Sequence, residues 1–256
     1  MYFNKNKNLK DIDSMILCAG RGSRMRFMTK FLAKPLLKID NISMLDTIIK
    51  KITTSGINKI VINTNYMPYA IKKSIKNLKY KIRSSGIELV VEKQRLETGG
   101  GIKNAINIFD KSSLLVVNGD SILNSTKQFC PIKNLYSNFK KIDMDVLLLL
   151  SKKKYSLGYT GNGDYRKMTS SYKSQLSSKY NSNFEKYIFT GWQIINKNIL
   201  NSFPEKVFSL KKVYDLAEKK GRLYGITHSG IFFHVGDPKS YSLAKKFIKI
   251  NKLKII

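Results

Sequence analysis

Short apolar runs alternate along this chain with segments whose apolar residues recur every three or four positions. Ser14-Met15-Ile16-Leu17, Val61-Ile62 with its flanks, Leu89-Val90-Val91, Leu114-Leu115-Val116-Val117 and Val146 to Leu150 are apolar runs of strand length. They have the pattern of strands buried on both faces. Helical patterns lie between them. Leu45, Ile48, Ile49 and Ile52 fall at i, i+3, i+4 and i+7. Ser43 and Asp46 precede that run with capping-box spacing, and Gly56 can close it. Ile102, Ala105, Ile106 and Phe109 repeat the spacing, and Thr98 can cap the helix they predict. Strands that alternate with helices predict an α/β fold, a Rossmann-like, mostly parallel sheet with helices on both faces.

Two stretches break the alternation. Residues 1–13 are polar and rich in Lys and Asn, which predicts a flexible N-terminal extension before a single domain at 14–256. Residues 151–186 are rich in Ser, Lys, Tyr and Asn, with Gly158, Gly161 and Gly163. This composition makes a poor core and predicts a long loop or a ribbon over the sheet. Order is expected to resume with a strand at Tyr187–Ile195, a helix at Leu210–Lys220, and strands at Leu223–Ile226 and Ile231–Val235. A last helix follows Asp237-Pro238, with Tyr241, Ala244 and Ile248 on one stripe. Asp237 before Pro238 reads as its N-cap.

Composition narrows the function classes. With 256 residues, 42% of them hydrophobic, the chain can bury a sizeable core. It contains no apolar run of about 18 residues and no apolar leader, so a cytoplasmic protein is expected, with no membrane partner. Two cysteines, Cys18 and Cys130, make no disulfide framework and fit a reducing compartment. The net charge of +30 raises the question of nucleic acid. The lysines, however, are scattered from Lys5 to Lys254 and accompanied by abundant Asn and Ile, residues with A- and T-rich codons. No RNA- or DNA-binding signature goes with them. The charge reads as compositional bias with no specific nucleic-acid partner, although it would still attract an anionic nucleotide.

The candidate chemistry begins where the first strand ends. Cys18-Ala19-Gly20-Arg21-Gly22-Ser23-Arg24-Met25 is a small, glycine- and arginine-bearing loop suited to phosphate. It has neither the P-loop lysine motif nor the spacing of the dinucleotide fingerprint. Lys34-Pro35-Leu36-Leu37 follows. Downstream, Leu96-Glu97-Thr98-Gly99-Gly100-Gly101-Ile102 puts three glycines at a helix start, where something flat could lie on bare backbone. Asn118-Gly119-Asp120 then places a carboxylate at the end of a buried strand, where open α/β sheets carry their chemistry. Taken alone, that tripeptide is an ordinary turn.

In this order the segments resemble the sugar-phosphate nucleotidyltransferase family. Leu17 to Leu36 follows the family's signature loop, with Cys18 where an Ala is usual and Phe27 where a Pro is usual. The likeness runs over roughly residues 14–250. It implies the nucleotide-diphospho-sugar transferase fold and a site in which Ala19, Gly20, Gly22 and Ser23 cradle a triphosphate. By the same likeness, Arg24 contacts the leaving pyrophosphate and Lys34 neutralises charge at the α-phosphate. Glu97, Gly100, Gly101 and Asn118 would meet the nucleoside, and Asp120 would hold Mg²⁺. His234 stands where many relatives place a second metal-binding Asp, and is expected near the site without ligating the metal. Thr190 and Gly191 would face the sugar, and His228 reads as a surface or packing residue.

The LETGGGI string is similar to that of N-acetylmuramate-1-phosphate uridylyltransferases, which serve cell-wall sugar recycling. The expected partners are therefore an NTP, UTP before the others, and a sugar-1-phosphate. Two alternatives stand beside this reading. One is a guanylyltransferase acting on mannose-1-phosphate or another hexose or heptose phosphate. The other is a non-catalytic, basic RNA-binding or regulatory protein on the same scaffold, against which Arg24, Lys34 and Asp120 together argue. Arg24 and Lys34 are both expected in solvent-reachable loops.

Overall fold

In a computed structural model the described residues are 9–82, 86–124, 130–178, 185–253 and 255. The strands are β1 (Ile12–Leu17), β2 (Lys38–Ile39), β3 (Ile42–Ser43), β4 (Ile60–Thr64), β5 (Ile87–Val91), β6 (Ser113–Asn118) and β7 (Ser121–Leu123). They continue as β8 (Val146–Lys152), β9 (Ser156–Leu157), β10 (Tyr165–Lys167), β11 (Lys173–Ser177), β12 (Lys186–Asn196), β13 (Leu223–Thr227) and β14 (Phe232–His234). The helices are α1 (Met44–Thr54), α2 (Pro68–Ile82), α3 (Glu97–Asn104), α4 (Pro131–Asn138), α5 (Leu210–Lys219) and α6 (Pro238–Ile250).

The main sheet has the order β10-β11-β13-β8-β12-β6-β1-β4-β5. Strands β5, β4, β1 and β6 are mutually parallel, and β13 is parallel to β8. Strand β12 pairs antiparallel with both β6 and β8, so those two run the same way on either side of it. The sheet is thus mostly parallel, as expected.

Its strands read as continuous apolar runs because both faces are covered. Leu147 and Leu149 of β8 join α1, α2, α4 and α6 in one core. Val146, Leu148 and Leu150 join α3 and α5 in the other. Among the described residues no helix is long and apolar enough to cross a membrane.

The expected caps form. The Ser43 hydroxyl accepts the Asp46 N–H at 3.0 Å and starts α1. Asp237 accepts the Ser240 N–H at 2.9 Å, and the Ser240 hydroxyl accepts the Asp237 N–H at 3.0 Å, closing a capping box on α6.

Some elements differ from the pattern. Strand β1 begins at Ile12, and Leu9 is already buried, so ordered packing starts before Ser14. Residues 1–8 of the expected extension lie outside the described residues. Where it is described, the stretch 151–186 is not one long loop: β9 pairs with β14 in a small three-stranded sheet, and β10 and β11 extend the main sheet's edge beyond β13. Their inward positions are mixed: Tyr165 and Leu176 join the core, while buried Lys167 donates to Ser171 O, Tyr172 O and Thr227 Oγ1 at 3.1, 2.6 and 2.8 Å. Residues 179–184 fall outside the description. The helix expected around 102–109 starts earlier, at Glu97, and gives way to a 3₁₀ turn at Ile106–Ile108. Helices α2 and α4 were not anticipated. The buried Ile71, Ile75 and Leu78 of α2 are spaced by lysines that dilute the stripe.

The Ser240 backbone N–H, first among several causes, holds the Asp237 carboxyl below the ordinary carboxylate range. A pKa depressed on folding contributes stability above the unfolded value and loses it as pH falls through the folded one. Asp237→Ala is expected to cost about 1 kcal/mol at neutral pH. The gap to the unaltered chain should narrow as pH drops below about 4. Thermal melts at pH 7 and pH 3 check both parts.

Candidate active site

Parallel pairing sets Leu17 beside Asn118, so the segments that leave β1 and β6 run side by side. They touch through backbone: the Gly119 N–H donates to Leu17 O at 3.0 Å. A Cβ on Gly119 would lie 2.6 Å from Cys18 Sγ and 2.9 Å from Leu17 O, so only glycine fits there. The next residue, Asp120, projects its carboxylate into a cleft of about 480 Å³ at the strands' carboxyl ends. Cys18 is buried, and burial pushes its thiol pKa far up.

The glycine loop forms one wall. Gly22 is left-handed (φ 67°, ψ 35°) and starts a 3₁₀ segment at Ser23–Thr29. Its carbonyl accepts the Met25 N–H at 2.9 Å and the Thr29 hydroxyl at 3.1 Å. A Cβ there would meet Lys34 Cβ at 2.9 Å, so the missing side chain is what lets Lys34 pack under the loop. Lys34 is accordingly 6% exposed, against the expectation of a solvent-reachable side chain. Its ammonium lies 2.5 Å from Asp120 Oδ2. Arg24, by contrast, is exposed on the loop as expected.

Ala19, Gly20, Gly22, Ser23 and Arg24 line the cleft on this side, with Lys34, Asn118 and Asp120 deeper in. Glu97 lines the opposite wall and has φ 61°, a left-handed backbone uncommon for a residue with a side chain. Sequence reasoning missed Asn63, Arg95 and Ser209, which also line the cleft. Asn63 is a polar residue near the end of an apolar strand, which was a usable signal. Arg95 immediately precedes the LETGGGI string. With Arg21, whose guanidinium sits 5.8 Å from the Tyr66 ring centre, four cations border the cleft. Such a cleft suits a polyanion.

Gly100 and Gly101 do not line it. A Cβ on Gly100 would lie 2.2 Å from Lys206 O, and one on Gly101 would lie 2.6 Å from Asn63 Nδ2 and 2.8 Å from Glu92 Oε1. The Gly99 and Gly100 N–H groups both donate to Phe208 O. These glycines therefore let protein pack on protein instead of offering bare backbone to a base. Thr98 does not cap α3; its hydroxyl accepts the Leu210 N–H at 2.9 Å, at the start of α5. The hydroxyl of Thr190 is likewise used within the sheet, donating to Leu149 O at 2.8 Å. Gly191, at φ 82°, comes close to Asn118: a Cβ would lie 2.9 Å from its Nδ2.

His234, on β14, packs edge-on to Tyr159 at 5.6 Å. Burial lowers its pKa, opposed by Asp120 and aided by Lys34 and Arg24. Gly236 forms the cleft wall there, within 2.6 Å of His234 Nε2 for a Cβ. His228 is buried, with Nε2 3.1 Å from Asn124 O, and burial lowers its pKa to about 4, so it packs and is not a surface residue. Among the described residues no group of three or more His, Cys, Asp or Glu is placed to hold a metal.

A glycine–arginine loop, a lysine and a carboxylate thus gather at the carboxyl ends of parallel strands, where open α/β sheets place their ligand sites. Residues 13–159 match the nucleotidyl transferase family, and the chain belongs to it. A similar protein is the N-acetylmuramate alpha-1-phosphate uridylyltransferase of Caulobacter vibrioides, 27% identical over 89% of this chain and 93% of its own. The D-glycero-alpha-D-manno-heptose 1-phosphate guanylyltransferase of Campylobacter jejuni is 26% identical over 90% of this chain and 97% of its own. Among solved structures, a UDP-glucose pyrophosphorylase complexed with UDP-glucose shares the fold. It has a TM-score of 0.77 at 14% identity, covering 95% of this chain and all (100%) of that one.

The two glycines of the loop pair make opposite expectations. Gly119→Ala should cost about 1–3 kcal/mol through overpacking against Cys18 and Leu17. Gly20→Ala should leave stability nearly unchanged, because a Cβ there meets nothing within 4 Å. Paired thermal melts check the contrast.

Proposed function

We propose that this chain transfers a nucleotidyl group from an NTP, preferentially UTP, to a sugar-1-phosphate, preferentially N-acetylmuramate-1-phosphate. The products are the NDP-sugar and pyrophosphate. The observation that carries the proposal is convergence: the 18–24 loop, Lys34 and Asp120, distant in sequence, meet in one cleft. In this reading an oxygen of the sugar phosphate attacks the α-phosphorus, and the bond to the β-phosphate oxygen breaks. The attacking oxygen is already ionised, so no general base is needed, and the bridging oxygen leaves with the pyrophosphate. The protein aligns two anions and neutralises charge. Arg24, exposed at the loop, takes the leaving pyrophosphate. Lys34, held from below, serves the α-phosphate, and the N–H groups of residues 19–23 cradle the rest.

A divalent ion fits the donors present. Asp120 offers a hard carboxylate with 37% of its side chain exposed, and Mg²⁺ typically takes one or two carboxylates plus substrate oxygens and water. When bound, Mg²⁺ would supply charge neutralisation at the transferring phosphate. Asp237 caps α6, and the His234 imidazole is a poor partner for this ion. His234 is therefore read as a neighbour of the site, not a ligand.

The LETGGGI string and the Caulobacter relative favour UTP. The Campylobacter relative favours GTP with a heptose phosphate. With Gly100 and Gly101 packed away, the choice of base falls to exposed groups such as Arg95 and Glu97. A panel of four NTPs against several sugar-1-phosphates, read by pyrophosphate release, is expected to give the fastest turnover with UTP. Faster turnover with GTP across all sugars would overturn the preference while leaving the reaction class intact.

Arg24→Ala and Lys34→Ala are each expected to cut turnover about 10²-fold or more. Lys34→Ala should also lower Tm, since it leaves a cavity and frees Asp120. Asp120→Asn should nearly abolish turnover at any Mg²⁺ concentration, whereas His234→Ala should lose less and keep the same Mg²⁺ requirement. Steady-state rates across a Mg²⁺ series check this. An equal rise in half-saturating Mg²⁺ for both variants would make His234 a ligand.

A further inference from the structure

A chain of buried hydrogen bonds runs beneath the cleft from one wall to the other. The Cys18 N–H, at the root of the phosphate loop, is shared between the Asn63 backbone carbonyl at 3.2 Å and Asn63 Oδ1 at 3.0 Å. Asn63 Nδ2 donates to Glu92 Oε1 at 2.6 Å. Glu92 Oε2 accepts the Leu96 N–H at 3.3 Å, just before Glu97 on the opposite wall. Asn63 and Glu92 are 1% and 3% exposed. Strand pairing sets their positions: Asn63 sits across from Leu17 on β1 and Val90 on β5, and Glu92 follows β5 directly. The absence of a side chain at Gly101 leaves the pair its room.

We infer that Asn63 and Glu92 are positioning residues that fix the spacing and orientation of the two walls that hold the nucleotide. The inference rests on the nucleotidyltransfer reading of the same cleft. The relay has a fixed polarity. A carboxamide has one donor and one acceptor end, and here the acceptor end faces an N–H while the donor end faces a carboxylate. The carboxylate has two acceptor oxygens and meets a donor with each. Neither residue can be exchanged alone without setting like against like. Glu92→Gln has one oxygen for two donors, Asn63 Nδ2 and the Leu96 N–H. Asn63→Asp sets two carboxylates face to face in a buried site, where they repel unless they share a proton.

The double exchange restores every pairing. In Asn63→Asp with Glu92→Gln, the Asp accepts from Cys18 N–H with one oxygen and from Gln Nε2 with the other. The Gln oxygen then remains for the Leu96 N–H. Charge count and volume are nearly unchanged, but the polarity of the middle link is reversed.

The test is a double-mutant cycle on the full chain, assayed well below the Tm of every variant. Each single variant is expected to raise the KM for NTP about tenfold, the scale of one buried group left unsatisfied. The double variant should return KM to within about threefold of the unaltered chain, a rescue that mere loss of folding stability would not produce. Protection of the Cys18 and Leu96 amides from hydrogen exchange, followed by NMR, should fall in the singles and recover in the double. Single variants with unchanged KM and protection would overturn the inference, and so would a double variant as impaired as the worse single. If the unaltered chain releases no pyrophosphate with any NTP and sugar-1-phosphate, the reading of the cleft fails. The exchange measurement still decides the relay in that case.

Discussion

Coverage of the main sheet on both faces is the constraint from which the site follows. Strands such as β6 and β8 have apolar packing above and below, so neither face can carry polar chemistry. Polar groups can emerge only where the strands stop. At the carboxyl ends of β1, β4 and β6 the residue type changes abruptly to Cys18-Ala19-Gly20, Asn63-Thr64 and Asn118-Gly119-Asp120. Because these strands are neighbours in parallel register, three separate changes of character fall in one place.

Close packing at this edge depends on residues that have no side chain. Gly119 brings the β6 exit against the β1 exit, Gly22 lets Lys34 lie under the loop, and Gly101 makes room for Asn63 and Glu92. Each permits a polar group to reach its partner: Asp120 with Lys34, Asn63 with Glu92. The site is therefore built less by the residues that line it than by the distances that the glycines allow.

Much of this was legible in the sequence. Strands β1, β4, β6 and β8 announce themselves because burial on two faces makes them largely apolar. The caps Ser43 and Asp237 are local, and local signals read well. What could not be read is what depends on a distant partner. The glycines of the LETGGGI string look like an open platform until the 206–208 segment is seen against them. Lys34 looks like a loop lysine until Asp120, far along the chain, is placed beside it. Edge strands β10 and β11 were hidden because a polar, lysine-bearing stretch can line an inward face when neighbouring carbonyls and a hydroxyl satisfy its ammonium, as they do for Lys167. The likeness to the family identified which motifs mattered. Some of those motifs reach the cleft, as the 19–24 loop does, and others hold it together, as Gly100 and Gly101 do.

The pairing of Lys34 with Asp120 divides the electrostatics of the cleft between two ranges. Lys34 already has a counter-charge and is nearly out of solvent, so it adds little to the field felt at a distance. Attraction of an approaching nucleotide rests on the exposed guanidinium groups of Arg21, Arg24 and Arg95, together with the basic surface at large. That attraction weakens with ionic strength, because its charges lie in water. In the proposed reaction an arriving phosphate would meet a lysine whose ammonium is already paired with the Asp120 carboxylate. On the proposed reading, capture would be salt-sensitive, whereas retention would be an exchange of partners in a sheltered pocket, and the two would respond to different conditions.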